Sequence, residues 1–260
     1  MIATARYSLL LVGFTLLALS VAAPAALATV VHGNYSGTTI DFLGVQETVN
    51  SSDPEPAGGL FEAPLLVGDS LFFFPSNFTA DSANGDGGEG AGAIDQTNVQ
   101  LQMQLSATSG TIDVVNLTEF GDVSLSDFTG DDSGTAATGA FVQLSGALTV
   151  LNAANPLDIG TIIPFVAVFD QDFFGLQGDV GASTFTGSAS IDVASSVPGV
   201  TLAMLSIDNI LTASSEADTS AFIQKKVTGA LVVSVPEPTS LALIGLGLAG
   251  AVLVGRRRNA

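Results

Sequence analysis

The sequence predicts an all-β fold of antiparallel sheets, arranged as a jelly-roll-like β-sandwich, with a closed barrel as the alternative. Three features carry that expectation. Apolar and polar residues alternate strictly over several runs, clusters of Gly, Asp, Asn and Ser separate those runs, and no stretch between residues 29 and 235 keeps a helical period.

The elements follow in order. Thr38–Val49 and Ser70–Pro75 are the first strand candidates, and within Phe72-Phe73-Phe74 the middle ring should face opposite to its neighbours. Val99, Leu101, Met103 and Leu105 alternate with three glutamines, which describes a strand with one buried and one wet face. Thr111–Leu117 is less regular. Val142, Leu144, Leu148 and Val150 share one face around Gln143, Ser145 and Thr149. Ile162–Phe169 follows, then Phe185, Ala189, Ile191 and Val193 set against Thr184, Thr186, Ser188, Ser190 and Asp192. Val200–Ile207 and Ala221–Val233 complete the set. The longest polar break, Asp81 to Gly92, reads as a loop within one domain, and no 20–50-residue period suggests a solenoid or propeller.

Composition excludes several functions. Of 260 residues, 47% are hydrophobic and 12% charged, with 25 acidic against 6 basic side chains and a formal net charge of −19. That sign opposes binding to a nucleic-acid backbone. With no cysteine, thiol nucleophiles, disulfides and thiolate-ligated metals are absent. The one histidine, His32, falls close to a predicted new N-terminus, a region prone to disorder, and makes a poor base for a Ser-His-Asp triad. Lys225 and Lys226 lie in a strand candidate, so no phosphate-cradling loop with a lysine is present.

The apolar excess sits at the two ends. Residues 1–28 have one early positive charge at Arg6, an apolar run from Leu9 to Leu19, Pro24, and the small residues Ala26 and Ala28 at the positions a signal peptidase accepts. This is the plan of a secretory signal peptide cut after Ala28, with an uncleaved anchor as the alternative. At the other end, Pro236-Glu237-Pro238 precedes an uncharged run from Leu241 to Val254 and then Arg256-Arg257-Arg258. That run would rise about 21 Å as a helix, and flanking residues plus snorkelling arginines extend it toward a membrane span over about 239–255. The arginines act as a stop-transfer tail and place the preceding chain outside.

This tripartite tail over 235–260 resembles the PEP-CTERM sorting signal. The resemblance covers only the tail and implies recognition by a membrane-embedded exosortase, cleavage near Pro236-Glu237-Pro238, and a setting of exopolysaccharide or biofilm matrix. Pro236 and Pro238 hold the backbone extended and oppose a continuous helix, which leaves the peptide open to a protease. The ectodomain over 29–234 carries near −22 (24 acidic residues against two lysines). The expectation is a non-enzymatic exported surface or matrix protein with no required cofactor. Its expected partners are signal peptidase, exosortase, exopolysaccharide and, before processing, the membrane.

Two other classes stay open. Asp81, Asn84, Asp86 and Glu89 offer oxygen ligands in a glycine-rich loop, suited to calcium but off the EF-hand spacing, so a solvated acidic loop is the alternative. Asp131-Asp132 with Asp127 is a weaker candidate, and Asp170 and Asp172 read as a strand end. A carboxylate pair for polysaccharide hydrolysis could come from Glu47, Glu55, Glu62 or Glu119, with nothing in the spacing to pair any two. Asn34, Asn77 and Asn116 head glycosylation sequons of the kind chance produces in Ser/Thr-rich chains.

Overall fold

In the computed structural model of the chain, the described residues are 28–51, 59–75, 77–83, 94–128, 138–176, 181–216, 218–225 and 231–236. In chain order the strands begin with β1 (Ala28–Ser36), β2 (Ile40–Ser51), β3 (Leu65–Val67), β4 (Ser70–Phe73) and β5 (Thr79–Ala83). Next come β6 (Ile94–Ala107), β7 (Val114–Asp127), β8 (Gly139–Asn152), β9 (Ile162–Val166) and β10 (Val168–Phe169). The last are β11 (Phe173–Gly175), β12 (Gly181–Asp192), β13 (Leu202–Ser214), β14 (Thr219–Lys225) and β15 (Leu231–Ser234). A 3₁₀ turn at Pro156–Asp158 and one short helix, α1 (Val193–Ser196), complete the described elements.

One sheet runs β1-β2-β6-β13-β8-β11, with β9 also joined to β8. The other is built on β10-β12-β7, and the far edge of β7 is divided between two short strands. β14 takes the half from Gly121 to Asp127 and passes the ladder to β5, while β15 takes Asn116 to Glu119 and passes it to β4 and β3. All pairings are antiparallel. The predicted all-β, antiparallel class is what the chain adopts.

Alternation builds the layers. On β6, Val99, Leu101, Met103 and Leu105 are buried, each contributing about 1.5–3 kcal/mol of apolar burial. Outward, Gln46 donates to Gln102, Gln102 to Gln100 and Gln100 to Asp208, an amide ladder crossing β2, β6 and β13. The inward faces of both sheets feed one hydrophobic cluster, and the Phe174 ring on β11 meets Phe185 on β12 across it. Phe73 is buried between half-buried Phe72 and Phe74, as its place in the strand requires.

Some elements differ from the sequence expectation. The segment carrying His32 is strand β1, paired to β2 through an irregular register at Gly33. Ile162–Phe169 is two strands, because the chain crosses from one sheet to the other at Ala167, whose N–H donates to Leu144 O. Ala221–Val233 likewise splits into β14 and β15. β7 and β13 run on past Leu117 and Ile207, where Glu119 and Asn209 interrupt the apolar phase while the backbone ladder continues. No helix among the described residues is long and apolar enough to cross a membrane. The expected signal peptide and the helix over 239–255 lie outside the described residues, apart from Ala28, which begins β1.

Gly121 on β7 is a close approach. A Cβ there would lie 2.1 Å from Phe185 Cζ and 2.4 Å from the Gln224 carbonyl oxygen. The missing side chain lets the Phe185 ring lie across the strand. Gly121→Ala is expected to lose about 1–3 kcal/mol by overpacking, read as a lower urea midpoint at unchanged slope.

Candidate functional site at the root of the C-terminal tail

β15 is the strand from which the tail departs, and it is an interior strand. Leu231, Val232, Val233 and Ser234 stand opposite Glu119, Thr118, Leu117 and Asn116 of β7 on one side. On the other side they face Phe73, Phe72, Leu71 and Ser70 of β4. Leu231, Val233 and Val235 are buried. The Ser70 and Ser234 hydroxyls join at 2.9 Å, and the Val235 N–H donates to Asp69 O at 3.0 Å.

Asp69 extends this root into the opposite sheet. Its carboxylate accepts the Thr39 N–H at 2.9 Å, the Thr39 hydroxyl at 2.6 Å and the Ile40 N–H at 3.2 Å, at the start of β2. Gly37 makes room for it, since a Cβ there would come within 2.5 Å of both Asp69 Oδ1 and Ile40 O. The backbone bond from Val235 and the side-chain bonds to β2 thus meet on one residue. Pro236 follows at once and is exposed; with no N–H to give, it contributes nothing further to the ladder. Glu237, Pro238, the apolar run and Arg256, Arg257 and Arg258 lie outside the described residues, as does Ala26.

Among the described residues, the other predicted side chains are not gathered into a second site. Asp81 is exposed on β5, its N–H donating to Asp95 Oδ2 at 2.7 Å, while Asn84, Asp86 and Glu89 lie outside the described residues. Among the described residues no group of three or more His, Asp or Glu side chains could hold a metal ion. Asp127 belongs to β7, and Asp131 and Asp132 lie outside the described residues. Asp170 accepts the Gln171 and Thr186 N–H groups, holding the end of β10 against β12. A shallow depression of about 690 Å³ on the outer face of the second sheet is lined by Asp122, Ser124, Thr184, Phe222 and Gln224 among others.

Of the four glutamates, Glu55 lies outside the described residues and Glu62 sits in the irregular segment before β3 at φ 55°. Glu47 and Glu119 are fully buried on different strands. Glu47 accepts the Phe61 N–H at 2.9 Å, and His32 Nε2 lies 3.4 Å from its other oxygen, so the histidine expected to be disordered is packed beside a carboxylate. Glu119 meets Asn209 and Lys225. Sequence reasoning singled out neither Asn209 nor the burial of Lys225. The signal was there: each occupies the apolar phase of an alternating strand.

No curated protein matches the chain. Among solved structures, it is similar at 13% identity and a TM-score of 0.20 to the structure of infectious bursal disease virus Gx strain, covering 83% of this chain and 60% of that one. The infectious bursal disease virus VP2 subviral particle gives 11% identity, a TM-score of 0.17 and coverages of 83% and 59%. The chain therefore spans about three fifths of the length of these structures. Residues 234–258 match the PEP-CTERM protein-sorting motif. The motif opens at Ser234, the last residue of β15, so what leaves the second sheet beside Asp69 is a PEP-CTERM sorting tail.

Proposed function

We propose that the chain is a non-enzymatic exported protein of the cell surface or extracellular matrix, held in the membrane by its tail until an exosortase cuts near Pro236-Glu237-Pro238. The observation that carries this reading is the sorting motif beginning where β15 ends, so that the folded body and the recognition segment share a boundary with no spacer. Pro236, with no N–H to continue the ladder, ends the sheet, so a cut beyond it leaves β15 whole. Supporting passive cargo, the two buried glutamates are engaged with protein groups inside the fold. The strongly acidic surface suits a hydrated, non-adhering coat, with exopolysaccharide as the proposed surrounding phase.

Alanine at Pro236, Glu237 and Pro238 together is expected to leave the uncut chain in the membrane fraction. Wild-type protein from the same cells should appear shortened and released or surface-held. Equal processing of both on immunoblots of fractionated cells would refute the sorting role.

A further inference from the structure

Three polar side chains meet between the sheets, in space otherwise filled by aliphatic and aromatic groups. Glu119 projects from β7, Asn209 from β13 and Lys225 from β14, with residue exposures of 0%, 0% and 2%. Asn209 Nδ2 donates to Glu119 Oε2 at 2.7 Å, and Lys225 Nζ donates to Glu119 Oε1. The amine and the amide therefore sit on the two oxygens of one carboxylate. Asn209 Oδ1 has no hydrogen-bond partner. The rings of Phe78 and Phe185 cover Nζ, with centroids 5.1 and 5.9 Å away. Among the described residues Lys225 is the only lysine.

As a structural ion pair this is a poor investment. Taking both charges out of water costs several kcal/mol per ion, and well-packed apolar residues of similar volume often serve better. As a reaction site it has the needed parts: an amine nucleophile, an acyl group in an amide, and a carboxylate touching both. We propose that Lys225 and Asn209 condense into an intramolecular isopeptide bond, with Glu119 carrying the protons, so that the two sheets are covalently joined.

The step balances without an outside reagent. Lys225 passes a proton to Glu119, a transfer favoured because burial pushes its amine well below the ordinary lysine range. The two ends of the Asn209 amide have nearly the same shape, so a half-turn presents Oδ1 to the protonated Glu119. Neutral Nζ attacks Cγ, and Glu119 protonates the developing oxyanion. The resulting carboxylate takes a proton from the now cationic Nζ and passes it to Nδ2. The Cγ–Nδ2 bond breaks, ammonia leaves, and the hydroxyl proton returns to Glu119 as the carbonyl re-forms. An ammonium, a carboxylate and a primary amide become a secondary amide, a carboxylic acid and ammonia. All products are uncharged, so the desolvation penalty of the starting pair disappears, and exclusion of water protects the intermediate from hydrolysis. The bond would link β13 of one sheet to β14 of the other, immediately before the strand that bears the sorting tail.

Digestion of the purified full-length chain, unfolded after purification, with a protease cutting after Glu and Asp tests this. Cleavage after Asp208, Glu216 and Asp218 separates Asn209 from Lys225 unless the side chains are joined. The expected result is a branched peptide about 17 Da lighter than its two arms, the mass of ammonia, with no branched peptide from Glu119→Gln. Unlinked arms at full mass, from wild-type chain that first melts cooperatively, would overturn the proposal. A loss of about 18 Da joining Lys225 to the Glu119 peptide would overturn Asn209 as acceptor. Full linkage in Glu119→Gln would overturn the proton-carrying role. The wild-type result decides the bond itself even if a variant fails to fold.

Discussion

Lys225→Ala is expected to destabilise the fold by about 3–5 kcal/mol, because it strands the buried Glu119 without its cation. Glu119 has no route to water, since its residue is fully buried, and its remaining partner is the Asn209 amide. Where the isopeptide bond has formed, Glu119 is a neutral acid with no cation to lose, and the substitution removes the covalent tie instead. For a loop the size of Asn209 to Lys225 such a tie adds about 3 kcal/mol on the disulfide scale. The double variant Lys225→Met with Glu119→Leu separates the two contributions. It replaces both charges by apolar groups of similar volume and leaves the buried Asn209 amide without its partner. Against an unlinked chain it should therefore recover all but about 1–3 kcal/mol of the loss, whereas against a linked chain the deficit of the missing tie remains as well. Urea unfolding of the wild type, the single variant and the double variant measures both steps. A single variant as stable as wild type would show that the carboxylate is not stranded. A double variant no better than the single would show that charge burial is not the cause of the loss.

The same three residues explain how much of this protein was legible in its sequence. Where the inward phase is purely apolar, as at Val99 to Leu105 on β6 and Val142 to Val150 on β8, alternation located the strand and its buried face correctly. Where a polar residue takes an inward position, the apparent strand stopped early. On β7 the inward series is Val115, Leu117, Glu119, Gly121, Val123 and Leu125. Glu119 and Gly121 look like a turn in one dimension and are core in three. β13 repeats the pattern with Asn209 between Ile207 and Leu211. A run that resumes in the same phase after a polar residue therefore marks a candidate site. The root of the tail was hidden for another reason. Asp69 follows Gly68, at φ 58° in the turn between β3 and β4, and its partners Thr39 and Ile40 are about thirty residues away, so only the fold brings them together. The sorting tail, by contrast, was legible at once, since its recognition lies in a linear order of residues and not in packing.

A chain ending after Pro236 is expected to melt cooperatively, whereas one ending after Ala230 is expected not to fold. The longer chain keeps all of β15 and the bond from Val235 to Asp69. The shorter chain loses Leu231, Val233 and Val235, three buried side chains whose individual removal costs about 2–5 kcal/mol each. Together these approach or exceed the about 5–15 kcal/mol by which a typical domain is stable at all. The backbone adds to the loss, because β7 from Asn116 to Glu119 and all of β4 would lose the partner between them and expose unpaired N–H and C=O groups. A chain ending after Val233 should fall between the two, lacking the Val235 side chain and its bond to Asp69. Thermal melts of the three truncations should therefore rank in that order, and a cooperative melt for the Ala230 truncation at the Pro236 midpoint would show that β15 is dispensable. The ranking bears directly on processing. A cut that leaves the sheet root whole, with Val235 and its bond to Asp69 in place, falls after Val235. Under the proposed sorting role, the boundary of the sheet and the Pro-Glu-Pro segment therefore together mark where cleavage leaves the folded body at full stability.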